Sequence, residues 1–358
     1  MNKTSATAYT NRLFMLESCK RKVRIDGRSV YEPRALKISF VGSPVVDQVA
    51  LDAAARDDTS LDPLNDLSVP AAVDCQWQRG HAEARVGQTV VIARVSATII
   101  TPTIDRPAEG TFAVNCDIPA DMPPTIPASQ VQRLVDRAIS ETRVIDTTQL
   151  CIEVGTKVLA IRVDIRVLND DGSLVDAATC AAIAALLHFR RPAFSVNDAG
   201  SVVIHPPTER APLPLSIHHT PLALSFAFLR GSSDMILDPS SKEEELTLQP
   251  PLVKPTNLIN MFSMMAHKPL TPAAENPKSD AESVADNDSE GAILTVVVNR
   301  QNEVCLVVKP GGAPVAPATV LHASRLALTV VADRLEVIRN AILADRLARK
   351  VQARLDCQ

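Results

Sequence analysis

One segment, Asp164–Pro192 (DIRVLNDDGSLVDAATCAAIAALLHFRRP), constrains the fold more than any other part of the 358-residue chain. A strand rich in Ile and Val runs into Asp170-Asp171-Gly172, a tight turn signal. From Asp176 the chain reads as a buried, alanine-rich helix over Ala177–Phe189, stopped by Arg190-Arg191-Pro192 because proline cannot continue a helix. Strand, turn and helix with so little filler pack as layers on one sheet, which makes the fold class α+β.

Neighbouring segments supply that sheet. Arg34–Val41 reads as a strand, as does Thr111–Asp117. His81–Val86 and Thr89–Ile100 flank Gly87-Gln88 as a β-hairpin, and a second hairpin spans Leu150–Leu168 around Gly155-Thr156. Ser129 with Gln132 three residues later predicts a capped helix, with Val131, Leu134, Val135, Ala138 and Ile139 on one face. Arg133 and Arg137 lie together on another face, one turn apart. Further on, Ser201–His205 and Pro221–Leu229 read as strands, and Gly291–Asn299 with Glu303–Lys309 as a hairpin. An amphipathic helix over about 318–355 closes the chain, with Leu321, Leu328, Val331, Leu335, Ile338 and Ile342 at helical spacing.

These elements divide the chain into an N-terminal helix and basic segment (1–30) and two larger units, 31–195 and 196–358. Each larger unit carries an insertion without periodicity, at about 43–80 and 249–290. The first reads as a mobile loop between strands, and the second contains a short apolar island, Leu258–Met265. That island either covers this chain's own surface or docks on a partner.

Composition narrows the function classes. With 46% hydrophobic but only 3% aromatic residues, the core is aliphatic and few rings are left for stacking on bases. Lys and Arg number 37 against 41 Asp and Glu, a net charge of −4, so nucleic acid is not drawn to the molecule as a whole. RNA contact then requires a local patch or partner chains. Seven cysteines without C-x-x-C spacing suit free thiols in a reducing compartment. Neither a secretory signal nor a membrane span is legible, and an intracellular, soluble protein is expected.

The chemistry-bearing groups are few. Asp238 and Glu244 flank Pro239-Ser240-Ser241-Lys242-Glu243 and form a carboxylate pair able to hold Mg²⁺; equally, the run Glu243-Glu244-Glu245 reads as a solvated acidic loop. The turn from Asp170 to Val175 offers two carboxylates before its glycine and two aliphatic side chains at Leu174 and Val175, so it repels phosphate rather than binding it. Arg133, Arg137 and Arg106 could track an RNA backbone or serve in surface ion pairs, for instance Arg137 with Asp136 or Glu141. His218 and His219, adjacent on an expected strand, point to opposite faces and cannot easily share one metal ion. No metal or cofactor is expected.

Several motifs together resemble a known family. Arg24-Ile25-Asp26-Gly27-Arg28 looks like the R-x-D-G-R motif of RNase PH-like proteins. Val163–Gly172, Asp176-Ala177-Ala178, His188–Pro192, Pro214–His219 and Ser225–Phe228 together resemble the RNase PH-like subunits of the eukaryotic exosome, the 45-kilodalton polymyositis/scleroderma autoantigen type. The resemblance implies an RNase PH-like fold of two βαβ-type layers and a place in a six-membered ring of such chains. It also implies oligonucleotide-binding and KH cap subunits, associated nucleases and single-stranded RNA as partners, in nucleus, nucleolus and cytoplasm. In active members a Thr-Arg pair binds phosphate; those positions fall at Leu174 and Val175, and a second arginine position falls near Pro127. The family's acidic pair falls on Asp238 and Glu244, as a relic or structural brace, and Arg133 and Arg137 match basic positions of inactive-type subunits. The expectation is a non-catalytic subunit that supports 3′-to-5′ RNA processing and decay, rRNA included. The alternatives are a phosphate-dependent exoribonuclease using Asp238 and Glu244, and a free-standing interaction protein using the apolar island.

Overall fold

The computed structural model describes residues 14, 17–18, 21–42, 80–119, 126–197, 202–206, 209–229, 235–248 and 291–356. Most of the expected N-terminal helix, all but Gly80 of the first insertion, and the second insertion with its apolar island lie outside these residues.

Two sheets carry the fold. In the first, β1 (Leu36–Phe40), β2 (His81–Val86), β3 (Thr89–Ile100), β6 (Lys157–Asn169) and β4 (Thr111–Asp117) lie side by side in that order, with β5 (Cys151–Glu153) hairpinned to β6. β4 runs parallel to β6, and helix α1 (Ala128–Asp136) lies in the connection between them. All other pairings in this sheet are antiparallel. Alternation sets the register: Val91, Ala93 and Val95 of β3 and Val163, Ile165 and Val167 of β6 are all buried.

The second sheet orders β12 (Met235–Leu237), β11 (Leu222–Phe228), β13 (Ala292–Val298) and β14 (Val304–Val308), all antiparallel. Strand β13, AILTVVV, is buried along its whole length, as an inner strand covered on both faces must be. Two-stranded pairs, β7 (Arg190–Arg191) with β10 (Leu213–Pro214) and β8 (Phe194–Val196) with β9 (Val202–Ile204), fill the connection.

Helix α2 (Leu174–His188) is the centre of the molecule. Every one of its residues except Leu187 is buried, and one apolar cluster joins it to both sheets and to the closing helix α4 (Pro317–Asp356). A helix apolar all round has no solvent face to lose, so it sits between layers. Along α4 the buried positions are Ala323, Ala327, Val331, Arg334, Ile338, Ile342, Asp345 and Ala348, whereas Leu321 is 62% exposed. No helix of the described residues is long and apolar enough to cross a membrane.

Three local expectations need correction. Helix α1 begins at Ala128 behind Pro127, with no side-chain cap, so Ser129 lies inside the helix rather than capping it. Pro127 stands at the N-cap with extended backbone (φ −52°, ψ 132°) and has no side-chain acceptor, while its carbonyl receives the Gln130 amide at 2.8 Å and the Val131 amide at 3.1 Å. Helix α2 starts at Leu174, three residues before the expected Ala177, because Ser173 takes a left-handed conformation (φ 51°) that turns the chain directly into the helix. His218 and His219 are not on a strand: they follow an isolated bridge between Ile145 and Ile217, where the His218 amide donates to the Val144 carbonyl at 2.8 Å.

Candidate functional site

The turn Asp170–Ser173 enters α2 and is pressed against the segment Asp238–Ser241, which leads from β12 into helix α3 (Ser241–Leu248). Gly172 allows this approach. Its φ is +85°, and a Cβ there would lie 2.5 Å from the Pro239 carbonyl oxygen, the Ser240 carbonyl carbon and the Ser241 nitrogen. The two backbones are then stitched together. The Ser241 amide donates to the Asp171 carbonyl at 3.1 Å, and the Ser173 hydroxyl donates to the Pro239 carbonyl at 3.1 Å. Thr89, buried at the start of β3, donates from its hydroxyl to the Gly172 carbonyl at 2.9 Å.

The acidic pair named from sequence converges on this turn from two sides. Asp238 is fully buried, at a positive φ of 51°, a conformation Asp tolerates better than most residues. Its carboxylate accepts from the Arg34 amide at 2.7 Å and from the Arg34 guanidinium at 2.8 Å, with Arg28 at 3.5 Å and Arg334 at 3.8 Å. Burial alone would raise this carboxyl, but the hydrogen bonds and charge of Arg34, with Arg334 behind it, hold it well below the usual carboxylate range. Among the described residues no cation is in ion-pair contact with Glu244. Its Oε1 accepts the Ser173 N–H at 2.8 Å, so the carboxyl fills the amide position at the N-terminus of α2. Burial pushes Glu244 up to about 8; the Ser173 N–H opposes the shift, and Asp170 and Asp176 add to it.

Two of the three glutamates in the acidic run therefore turn away from water. Glu243 and Glu244 are 4% and 2% exposed, because α3 turns both inward and leaves Glu245 outside. Glu243 accepts the Ser240 amide at 2.8 Å, the Ser240 hydroxyl at 3.0 Å and the Arg24 Nε–H at 3.0 Å. Among the described residues no group of His, Cys, Asp and Glu is placed to hold a metal ion, and Asp238 and Glu244 spend their oxygens on Arg34 and Ser173 instead.

Sequence reasoning quoted Arg24 and Arg28 only as part of a motif and missed that they, Arg34 and Arg334 are the cations of this site. Arg24, 2% exposed, donates to the Leu237 carbonyl at 2.7 Å and the Asp238 carbonyl at 2.9 Å as well as to Glu243. Arg34 donates onward to the Asp171 carbonyl at 2.7 Å and the Gly172 carbonyl at 3.0 Å, so one side chain clamps both backbones. Arg334 reaches in from α4, 3.6 Å from Asp176, at ion-pair rather than hydrogen-bond range. Asp176 accepts the Ser225 amide at 3.0 Å and hydroxyl at 2.7 Å; burial pushes it up to about 6, against the pull of Arg334. For Arg334 a signal existed: it falls on the apolar stripe of its helix, between Val331 and Ile338.

The other expected site residues lie outside this network. Leu174 and Val175 are 3% and 2% exposed and belong to the apolar core. Arg133 is exposed on α1; Arg137, in the π-helical continuation Arg137–Glu141, donates to Glu141 at 3.1 Å. Arg106 is exposed in a turn and pairs with Glu109 at 3.2 Å.

The fold in which this carboxylate-and-arginine knot sits is RNase PH-like: residues 69–192 match the RNase PH family, "3′ exoribonuclease family, domain 1". Similarity extends over nearly the whole chain to exosome complex component RRP45A of Arabidopsis thaliana, 30% identical over 95% of this chain and 89% of that protein. Exosome complex component RRP45 of Danio rerio is also 30% identical, over 95% of this chain and 68% of its own length. Among solved structures, the Archaeoglobus fulgidus exosome with RNA bound to the active site contains a chain with the same fold, with a TM-score of 0.58 at 22% identity over 92% of this chain and 98% of that one. The chain belongs to the RRP45 family of exosome complex components.

Proposed function

We propose that this chain is a non-catalytic ring subunit, whose work is to position neighbouring RNase PH-like chains and guide single-stranded RNA toward a nuclease. The observation that carries the reading is the contact between Glu244 and the Ser173 amide at 2.8 Å. A phosphate bound at a helix N-terminus needs free amides and nearby cationic donors. Here a carboxyl fills one amide, Leu174 and Val175 are turned into the core, and Arg34 is committed to Asp238 and to two carbonyls. The acidic pair then serves as a brace between the two sheets. Oligonucleotide-binding and KH cap subunits are the partners in this reading, and nucleus, nucleolus and cytoplasm its compartments.

The test supplies the full chain, alone and with an RNase PH-like partner, with RNA and inorganic phosphate. No release of nucleoside diphosphates traceable to this chain is expected. Phosphate-dependent release that disappears in Asp238→Asn, while the variant keeps its thermal melt, would establish the exoribonuclease alternative instead. RNA guidance is tested separately: Arg133→Glu with Arg137→Glu, both on the outside of α1 and its continuation, should weaken RNA protection by the assembled ring and leave assembly intact. Unchanged protection would remove these arginines from the RNA path.

A further inference from the structure

The strand pair β8–β9, in the connection between the two sheets, holds a serine, a histidine and a glutamate in series. Ser195 is the middle residue of β8, and its Oγ lies 2.6 Å from Nε2 of His205, the residue that follows β9. On the other side of the ring, His205 Nδ1 lies 3.3 Å from Glu209 Oε2. We infer that Ser195 is the nucleophile of an acyl-transfer site that cleaves small carboxylic esters, with His205 as its general base and Glu209 as the positioning residue behind the base.

Backbone pairing sets the first contact. Phe194 is opposite Ile204 and Ser195 opposite Val203, so Ser195 and His205 are diagonal neighbours on one face of the pair. The His205 amide donates to the Ala193 carbonyl at 3.0 Å, which extends the ladder by one residue and anchors the base. Beyond it, the Glu209 and Arg210 amides donate to the Pro206 carbonyl at 3.0 and 3.2 Å. This turn returns the Glu209 carboxylate to the imidazole four residues before it.

Proton positions follow from the chemistry of the groups. An ionised carboxylate only accepts, so His205 donates to Glu209 from Nδ1. In the neutral ring Nε2 then carries the lone pair and accepts the Ser195 hydroxyl, which is the tautomer that activates a serine. Access suits the role: Ser195 is half-buried, and the His205 side chain is 15% exposed. Because Ala193 and His205 are a hydrogen-bonded pair, alternation turns the Val196 amide away from β9, where it can donate to the carbonyl oxygen as that atom becomes negative. Val203, across from Ser195, offers apolar surface to a short acyl chain.

In the reaction, Ser195 Oγ bonds to the ester carbonyl carbon while its proton passes to His205 Nε2. The tetrahedral adduct expels the alcohol, which takes that proton, and leaves an acyl-serine. Water attacks in the same way, releases the carboxylic acid and restores the serine. The three residues are distinct from those of the acid knot, so the site is compatible with a ring subunit that does not cut RNA.

The test treats the full chain with a fluorophosphonate, whose fluoride an activated serine displaces, and maps the adduct by peptide mass spectrometry. Phosphonylation of Ser195 is expected, at least about 100-fold faster than in the same chain unfolded in urea. His205→Ala should bring the rate down to that of the unfolded chain. Glu209→Gln should lower it by about tenfold, less than for a buried carboxylate because Glu209 is 63% exposed. Burst release of p-nitrophenol from p-nitrophenyl acetate should disappear in Ser195→Ala. Thermal melts accompany each variant, and if His205→Ala melts early the Glu209→Gln rate decides. Absence of an adduct on Ser195 overturns the proposal, as does an adduct that forms no faster than in urea or at a rate that Glu209→Gln leaves unchanged.

Discussion

Replacing Arg34 with Met tests the account of the acid knot most directly. The Arg34 side chain is 8% exposed and that of Asp238 is 0% exposed, so solvent does little to screen the pair. Removing one member of a buried ion pair leaves an uncompensated charge and costs about 3–5 kcal/mol. The Asp171 and Gly172 carbonyls also lose a donor, at roughly 1 kcal/mol each. Arg28 and Arg334 remain 3.5 and 3.8 Å from Asp238 and offset part of this. The net loss should be about 3–5 kcal/mol at neutral pH, read as the shift of a urea unfolding midpoint at constant slope. The pH dependence gives a second check. Asp238 is held below its ordinary value of 3.8 in the folded chain, so its contribution is present above that value and lost as pH falls through the folded one. Without Arg34, burial favours the protonated acid, and the difference between variant and parent should shrink toward pH ~4 and below. Arg34→Lys should fall between the two, since it keeps the charge but loses the fork. A loss below ~1 kcal/mol at neutral pH would refute the clamp, as would a penalty that does not change with acid.

Two further substitutions probe the same junction. Glu244 is raised from 4.5 to about 8, so the folded chain binds its proton more tightly than the unfolded one; stability should be greatest below the lower value and decline as pH rises toward the upper. Glu244→Gln keeps an oxygen for the Ser173 amide and should flatten that decline, which thermal melts across the interval will register. Gly172→Ala meets backbone atoms at 2.5 Å and a φ of +85°, and should destabilise by about 2–4 kcal/mol by urea titration, the sum of overpacking and left-handed strain. A change within about 0.5 kcal/mol would mean that the two backbones separate freely.

Much of the fold was legible because strand periodicity is a local signal. Thr111–Asp117 and both hairpins of the first sheet are where alternation and the Gly turns put them. The register of β11 against β13 is a different matter, since it pairs residues some seventy apart and no local pattern carries it. The acidic pair was legible only as residue types. Its surroundings were misread, because a run of three glutamates obeys surface statistics until long-range arginines enter. Arg24 and Arg34 lie more than two hundred positions from their partners, beyond the reach of any window of periodicity. Ser129 failed for a local reason: its motif was sound, but Pro127 pre-empted the start of the helix.

The clamp at Arg34 has a consequence for biogenesis. Its anchor, Asp238, lies 204 residues further along the chain. On a ribosome adding ~5–20 residues per second, the first strand and its arginine wait roughly 10–40 s before that anchor is even translated. Over that interval Arg34 has at most the Asp171 and Gly172 carbonyls to donate to, and Arg24 lacks Glu243 and the Leu237 and Asp238 carbonyls. The junction between the two sheets therefore cannot be completed until the chain is two-thirds made, and a holdase covering the amino-terminal half would act during this interval.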